Sequence, residues 1–173
     1  MGVSEKELLA ISTKSLEVPP AVKVGVISDT HGLLRPEALA ALRRADAIVH
    51  AGDIGDPAIL SQLCQLAPVT AVRGNIDIAA WSKDLPETNV LEIAGVSLYV
   101  IHNVQELDLN PGTAGFAAVI FGHSHQPLIE WRKHVLFFNP GSAGTKRFSL
   151  PISLGRLTIL NGKISPELID LAQ

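Results

Sequence analysis

The sequence predicts an α/β domain in which two β-sheets face one another with helices outside. Three observations carry that expectation. Apolar runs alternate with helical segments in the first half, the second half is rich in strands, and 47% of the 173 residues are hydrophobic against 18% charged. A chain of this length holds one core of ordinary size and leaves little room for a second domain.

Residues 22–27 read as a strand, and residues 36–44 as a helix with Leu39 and Leu42 on one face and Pro36 suited to its first turn. A second short strand covers residues 47–50. Residues 57–66 follow as a helix, with Ile59, Leu60, Leu63 and Leu66 at helical spacing, and residues 69–72 form a third strand. This β-α-β-α-β order argues for parallel strands joined by right-handed crossovers. Residues 90–93 and 96–101 flank Ala94-Gly95 and read as a hairpin. Strands at 118–121, 128–131 and 135–138 come next, the last two joined by the charged turn Arg132-Lys133-His134. A closing hairpin pairs residues 154–160 with 164–169 around Asn161-Gly162. Residues 1–20 are expected to form a polar arm, disordered or carrying one short helix, and residues 21–173 the single domain.

Composition narrows the function. Fourteen basic against 17 acidic residues give a net charge of −3, which excludes a basic nucleic-acid surface and with it a stable nucleic-acid partner. The single Cys excludes an intramolecular disulfide and any multi-Cys zinc module, so a reduced, cytoplasmic setting is expected. That residue, Cys64, is expected to be an inert core thiol. Mean hydropathy of +0.29 and the uncharged stretch 109–129 raise the question of a membrane span. Pro111, Gly112, Gly115, Gly122 and Pro127 interrupt that stretch, so no span is expected. No leader is expected either, since Glu5 and Glu7 sit where a signal peptide is basic.

The informative polar residues follow apolar strands, where open α/β sheets bind ligands. Five strand ends run into Asp29-Thr30-His31, Gly52-Asp53, Gly74-Asn75, His102-Asn103 and Gly122-His123-Ser124-His125. Carboxylate and imidazole are common metal ligands, and an Asn amide oxygen can join them. A single Asp-x-His or His-x-His is weak; five in succession at strand ends are not independent accidents. Along an extended chain, Asp29 with His31 and His123 with His125 would each share one side and clasp a cation. His50 is expected as strand packing, His134 as turn surface, and Trp81 and Trp131 as packing or interface residues. Arg73, Arg147, Arg35 and Lys146 are candidates for touching an anionic substrate, Arg matching phosphate bidentately.

With these motifs in this order over residues 22–170, the chain resembles the calcineurin-like metallophosphoesterases, most of all the small YfcE-type phosphodiesterases. Asn139-Pro140-Gly141-Ser142 resembles that family's turn beneath the site. The resemblance implies a four-layer α-β-β-α sandwich of two mixed sheets and a pair of metal ions. Asp29, His31 and His125 would hold one ion, Asn75, His102 and His123 the other, and Asp53 would bridge both. Asp53, Asn75 and His102 are expected to be catalytic as well as ligating.

Two divalent ions against two carboxylates leave the site at about +2, suited to an anionic ester and a bridging hydroxide that attacks phosphorus. Mixed oxygen and nitrogen ligation without thiolate favours Mn²⁺, with Ni²⁺, Fe²⁺ or Zn²⁺ as alternatives. The expected activity is hydrolysis of small phosphodiesters. The alternatives are a phosphomonoesterase with the same site, or a non-catalytic scaffold like the retromer subunit of this fold. A homo-oligomer is left open. Two departures stand out. Larger relatives follow Gly-Asn with a His that protonates the leaving group, where this chain has Ile76, as the YfcE-type proteins also lack that His. Many relatives have His-Gly in place of His102-Asn103. Asp77 is read either as a substitute proton donor or as an anchor.

Overall fold

The computed structural model describes residues 20–172. In the first sheet β1 (Val22–Ile27), β2 (Ala47–His50) and β3 (Val69–Ala71) are parallel neighbours. Helices α1 (Pro36–Leu42) and α2 (Pro57–Cys64) make the crossovers. The second sheet opens with the hairpin β4 (Thr88–Ile93) and β5 (Val96–Ile101). Next to β5, β6 (Ala118–Ile120) runs parallel, as does its other neighbour β8 (Val135–Asn139), while β7 (Leu128–Arg132) lies antiparallel at the edge. The closing hairpin, β9 (Ser153–Leu160) and β10 (Lys163–Asp170), returns to the first sheet antiparallel to β1. The orders are β10-β9-β1-β2-β3 and β4-β5-β6-β8-β7, so both sheets are mixed.

The apolar runs are continuous because strands are covered on both faces. Between the sheets, Val24, Val26 and Val49 meet Leu98, Ile120 and Phe138, all fully buried. On the far face of the first sheet, Ala38 and Leu42 of α1 and Ile59 and Leu63 of α2 pack against Ile27 and Ile48. The far face of the second sheet buries Tyr99, Val119 and Phe137 beneath Leu107, Leu109 and Phe116. That outer layer is thin: one 3-10 turn, Val104–Glu106, then loop, because Pro111, Gly112 and Gly115 punctuate the segment. No helix among the described residues is long and apolar enough to cross a membrane.

Both helices end two residues earlier than their periodicity predicts. Arg43 N–H turns back to Ala40 O, and Leu66 N–H to Leu63 O, closing each helix in a tighter i to i−3 turn. Cys64 corrects the sequence reading: it is exposed, because Ile59 and Leu63 take the buried face of α2. Trp81 packs partly buried beside the helices, whereas Trp131 stands exposed on β7. His134 lies exposed in the β7–β8 turn. Of the arm expected over residues 1–20, residues 1–19 lie outside the described residues.

His50, at the end of β2, is fully buried. Its Nδ1 accepts from Gly52 N–H (3.3 Å) and its Nε2 lies 3.0 Å from Thr30 Oγ1, whose hydroxyl donates to Ile54 O. Those partners fit one neutral tautomer, with the proton on Nε2. Burial pushes its pKa down to about 4. The unfolded chain binds a proton here near pH 6.5 and the fold does not, so His50 costs nothing above pH 6.5 and destabilises progressively between 6.5 and 4. By pH 4.5 the loss is about 2–3 kcal/mol. Denaturant unfolding at pH 7.5 and 4.5 is expected to show a smaller acid loss, by about that amount, in His50→Gln; an equal loss would assign the acid sensitivity to other groups.

Candidate metal centre

β1, β2 and β3 are parallel, as are β5, β6 and β8, so the loops that follow their carboxyl ends gather at one end of the sandwich. All seven residues singled out from the sequence meet there. Asp29 Oδ1 lies 3.3 Å from His125 Nε2 and 3.9 Å from His31 Nε2, and the two imidazole nitrogens are 3.2 Å apart. A second set forms around Asn75, whose Oδ1 lies 3.2 Å from His102 Nε2 and 3.0 Å from His123 Nδ1. Asp53 stands between them. Its Oδ2 is 3.8 Å from His31 Nε2 and its Oδ1 is 3.4 Å from His102 Nε2.

The donor set fits a cation. Asp29 is fully buried, and its Oδ1 has no hydrogen-bond partner. Its other oxygen accepts from Ser28 Oγ (2.7 Å) and His123 N–H (3.2 Å). A buried carboxylate oxygen without a donor is costly, and a cation between Asp29, His31 and His125 relieves it. His102 donates from Nδ1 to Ala51 O at 2.7 Å, which turns Nε2 and its lone pair inward. Burial acts to raise the Asp53 carboxyl, but His102 and the Ile76 N–H outweigh it and hold the group below its ordinary value. Burial acts to lower His102, yet Asp53 and the Ala51 carbonyl raise it. His31 is lowered by burial, with Arg147 and His125 adding to the effect.

The backbone differs from the extended clasp expected of Asp29-x-His31 and His123-x-His125. Asp29 (φ 54°), His31 (47°), Asp53 (54°), His123 (67°) and His125 (58°) are all left-handed. In these two motifs the side chains converge because the chain coils back at each of the four residues, not because alternate residues of a strand share a face. Such conformations cost about 1–3 kcal/mol each and persist where surrounding structure over-determines them.

That surrounding structure is identifiable. A Cβ on Gly74 would collide with the backbone N and carboxylate of Asp53, and one on Gly122 with Ser28 Oγ and Asp29 Oδ2. The Gly-Asn and Gly-His motifs thus need glycine so that neighbouring loops can touch. Asp77, also buried, accepts from Gly74 N–H (2.8 Å), Ile54 N–H (3.1 Å) and Gly55 N–H (2.9 Å). Of its two sequence readings, these bonds favour the anchor: it ties the Asp53 loop to the Asn75 loop. The Asn139-Pro140-Gly141-Ser142 turn lies beneath, where Asn139 Nδ2 donates to Gly122 O (2.9 Å) and Ser142 Oγ to Asp29 O (2.9 Å). Ser142 lies in the turn that the resemblance put beneath the site, whereas the supporting role of Ser28 escaped the sequence reading, although it adjoins Asp29.

The candidate substrate residues are spread out. Arg147 is exposed and reaches to 3.5 Å of His31 Nε2. Arg73 forms an ion pair with Glu87 at the rim. Arg35 donates to Gly144 O (3.1 Å), pinning a loop, and Lys146 is exposed.

The profile of the calcineurin-like phosphoesterase superfamily domain matches residues 22–162. The chain belongs to that superfamily. A probable metallophosphoesterase of Methanothermobacter thermautotrophicus is 36% identical over 158 residues, which span 84% of this chain and 91% of that protein. The phosphodiesterase YfcE of Escherichia coli K12 is 31% identical over 101 residues, about half of each chain (51% and 52%). Among solved structures, Entamoeba histolytica Vps29 complexed with Zn²⁺ superposes with a TM-score of 0.65 at 22% identity, covering 87% of this chain and 99% of that one. The α/β sandwich of two mixed sheets read from the sequence is thus shared with this solved structure. Removing the anchor under this site is expected to act through metal affinity: Asp77→Asn weakens Mn²⁺ binding by about 10–100-fold in calorimetric titration, with an unchanged circular dichroism spectrum. Unchanged affinity would mean that the two loops hold their places without it.

Proposed function

We propose that this metallophosphoesterase is a phosphodiesterase acting on small phosphodiesters at a dinuclear centre, with Mn²⁺ as the preferred metal. The observation that carries the reading is the position of Asp53, whose two oxygens face different donor sets. On this reading Asp29, His31 and His125 hold one ion, Asn75, His102 and His123 the other, and Asp53 is shared. Two divalent ions in such a centre supply Lewis acidity and a nucleophile at neutral pH.

The chain's own residues orient the ester. With Oδ1 turned toward two imidazoles, Asn75 leaves its Nδ2 to donate to a phosphate oxygen. Arg147 brings a guanidinium to the His31 side of the site, where phosphate oxygens would lie. Ile76 gives Asp53 its backbone N–H at 3.1 Å but presents only an apolar, 40% exposed side chain. Asp77 has both oxygens engaged by amides, so no acidic side chain next to Asn75 is poised to protonate a departing alkoxide. The phosphodiesterase named among the relatives supports the diester reading. The fold shared with Vps29 supports a binding scaffold as the second reading.

A panel of diesters and monoesters offered to the stripped protein with each metal separates these readings: diester turnover restored by Mn²⁺ is expected, monoester preference favours a phosphomonoesterase, and no turnover favours the scaffold. Within the centre, Asp53→Asn is expected to weaken both metal sites, whereas Asp29→Asn acts mainly on one. Titrations in which Asp53→Asn leaves either site unchanged would sink the shared role. General acid catalysis contributes about 10²–10⁴-fold, so without a donor at position 76 basic leaving groups should be penalised by about that much. Rates across diesters of graded leaving-group pKa are expected to fall steeply, and Ile76→His to flatten the slope. Equal rates with chemistry rate-limiting would mean that another group donates the proton.

A further inference from the structure

Each sheet has two edges, and an uncovered edge offers unpaired backbone N–H and C=O groups to any second strand. Three of the four edges are blunted. β10 carries Pro166 in mid-strand, which has no N–H to offer a neighbour. β3 and β4 are tied to each other: Asn89 Nδ2 donates to Ala71 O (3.3 Å), and Asn89 Oδ1 accepts from Val90 N–H (2.9 Å). The fourth edge, β7, has no such cover among the described residues.

The neighbouring strand shows which groups of β7 are free. Leu136 N–H donates to Ala117 O and Phe138 O accepts from Phe121 N–H, so these residues of β8 turn their backbone toward β6. Val135, Phe137 and Asn139 alternate with them and bond to β7 through their register partners Arg132, Glu130 and Leu128. The backbone groups of Ile129 and Trp131 therefore point away from the sheet. Their side chains lie on the face of Phe138 and Leu136, yet stay 41% and 49% exposed. On the opposite face Arg132 Nη2 donates to Glu130 Oε2 at 2.9 Å, with the guanidinium 4.0 Å from the centre of the Phe137 ring.

We propose that β7 pairs with β7 of a second copy of this chain, antiparallel about a two-fold axis at Trp131, so that the second sheet continues from five strands to ten. Charge selects both the partner and the register. An axis at Glu130 sets two carboxylates face to face, which opposes pairing. An axis at Ile129 brings Pro127, which has no N–H, opposite Trp131. With the axis at Trp131, the two Trp131 residues exchange backbone bonds and bring their indoles together, and each Glu130 faces the partner's Arg132. The run Glu130-Trp131-Arg132 is thus complementary to itself, the property that an interface between identical surfaces requires. β7 leaves the metal centre through Gln126-Pro127, directly after His125. Antiparallel pairing therefore puts the two centres at opposite ends of the joined sheet.

Analytical ultracentrifugation of the full chain from about 1 µM to 1 mM tests it and is expected to show a monomer–dimer equilibrium. Glu130→Arg and Arg132→Glu should each raise the dimer dissociation constant about tenfold or more, because both facing pairs become like-charged. An equimolar mixture of the two variants should dimerise as tightly as the unaltered chain, since every reversed charge then meets its opposite on the other copy. Restoring the pair within one strand cannot produce that rescue. Trp131→Lys should abolish the dimer, and all three variants should keep the circular dichroism spectrum of the unaltered chain, because the altered side chains are outside the core. A chain that stays monomeric throughout, a dimer that survives Trp131→Lys, or a mixture no tighter than its separate components would overturn the proposal.

Discussion

Burying Asp29 and Asp53 at the ends of adjacent parallel strands is the arrangement on which the rest of this structure depends. Two carboxylates withdrawn from water repel each other and lose solvation, a cost that hydrogen bonds or a cation must answer. Around Asp53 the protein answers with His102 and the Ile76 amide. Around Asp29 it answers with Ser28 and the His123 amide on one oxygen, and leaves the other without a donor. The imidazoles of His31 and His125 face that oxygen with nitrogens 3.2 Å apart. A buried carboxylate oxygen without a donor, faced by two imidazole nitrogens able to turn lone pairs toward the same point, is costly alone and favourable around a cation. The unmet demand of the carboxylate is thus the basis of the chemistry assigned to it.

Holding that arrangement requires the backbone to enter a region that residues with a Cβ seldom occupy. Five of the seven converging residues are left-handed, and the strain is borne by elements that have no ligand role. Gly74 and Gly122 let loops touch, Asp77 laces two of them with three amide bonds, and the Asn139–Ser142 turn supports Asp29 and Gly122 from below. The two-sheet core fixes the strand ends from which all of these loops depart. Stability in the core and strain at the centre are parts of one construction, which is why the glycines and Asp77 are expected to matter to metal affinity although they are not among the donors.

Much of this was legible in the sequence for physical reasons. Strands covered on both faces leave continuous apolar runs, so β1, β2, β5 and β6 could be located and their following polar residues collected. Parallel order then implied that those residues share one end of the sheet. What periodicity could not carry was the backbone at the ligands, since alternation in an extended chain and successive left-handed turns bring the same two side chains together. The exposure of Cys64 was hidden because it sits in an apolar helix, of which only the face of Ile59 and Leu63 is buried. Asp77 carried two readings because a carboxylate beside Asn75 suits either; only its three amide partners distinguish them. The four-layer pattern implied by the resemblance did not show that the layer over the second sheet is thin; Pro111, Gly112 and Gly115, used in the sequence only against a membrane span, are the residues that keep it from being helical.

The central claim is that Asp53 is shared by two metal ions. The most direct test is a crystal structure of the Mn²⁺-loaded protein with anomalous data collected at the manganese edge. The account predicts two anomalous peaks per chain, one among Asp29, His31 and His125 and one among Asn75, His102 and His123, each in contact with a different oxygen of Asp53. A single peak, or two peaks of which only one touches Asp53, would contradict it.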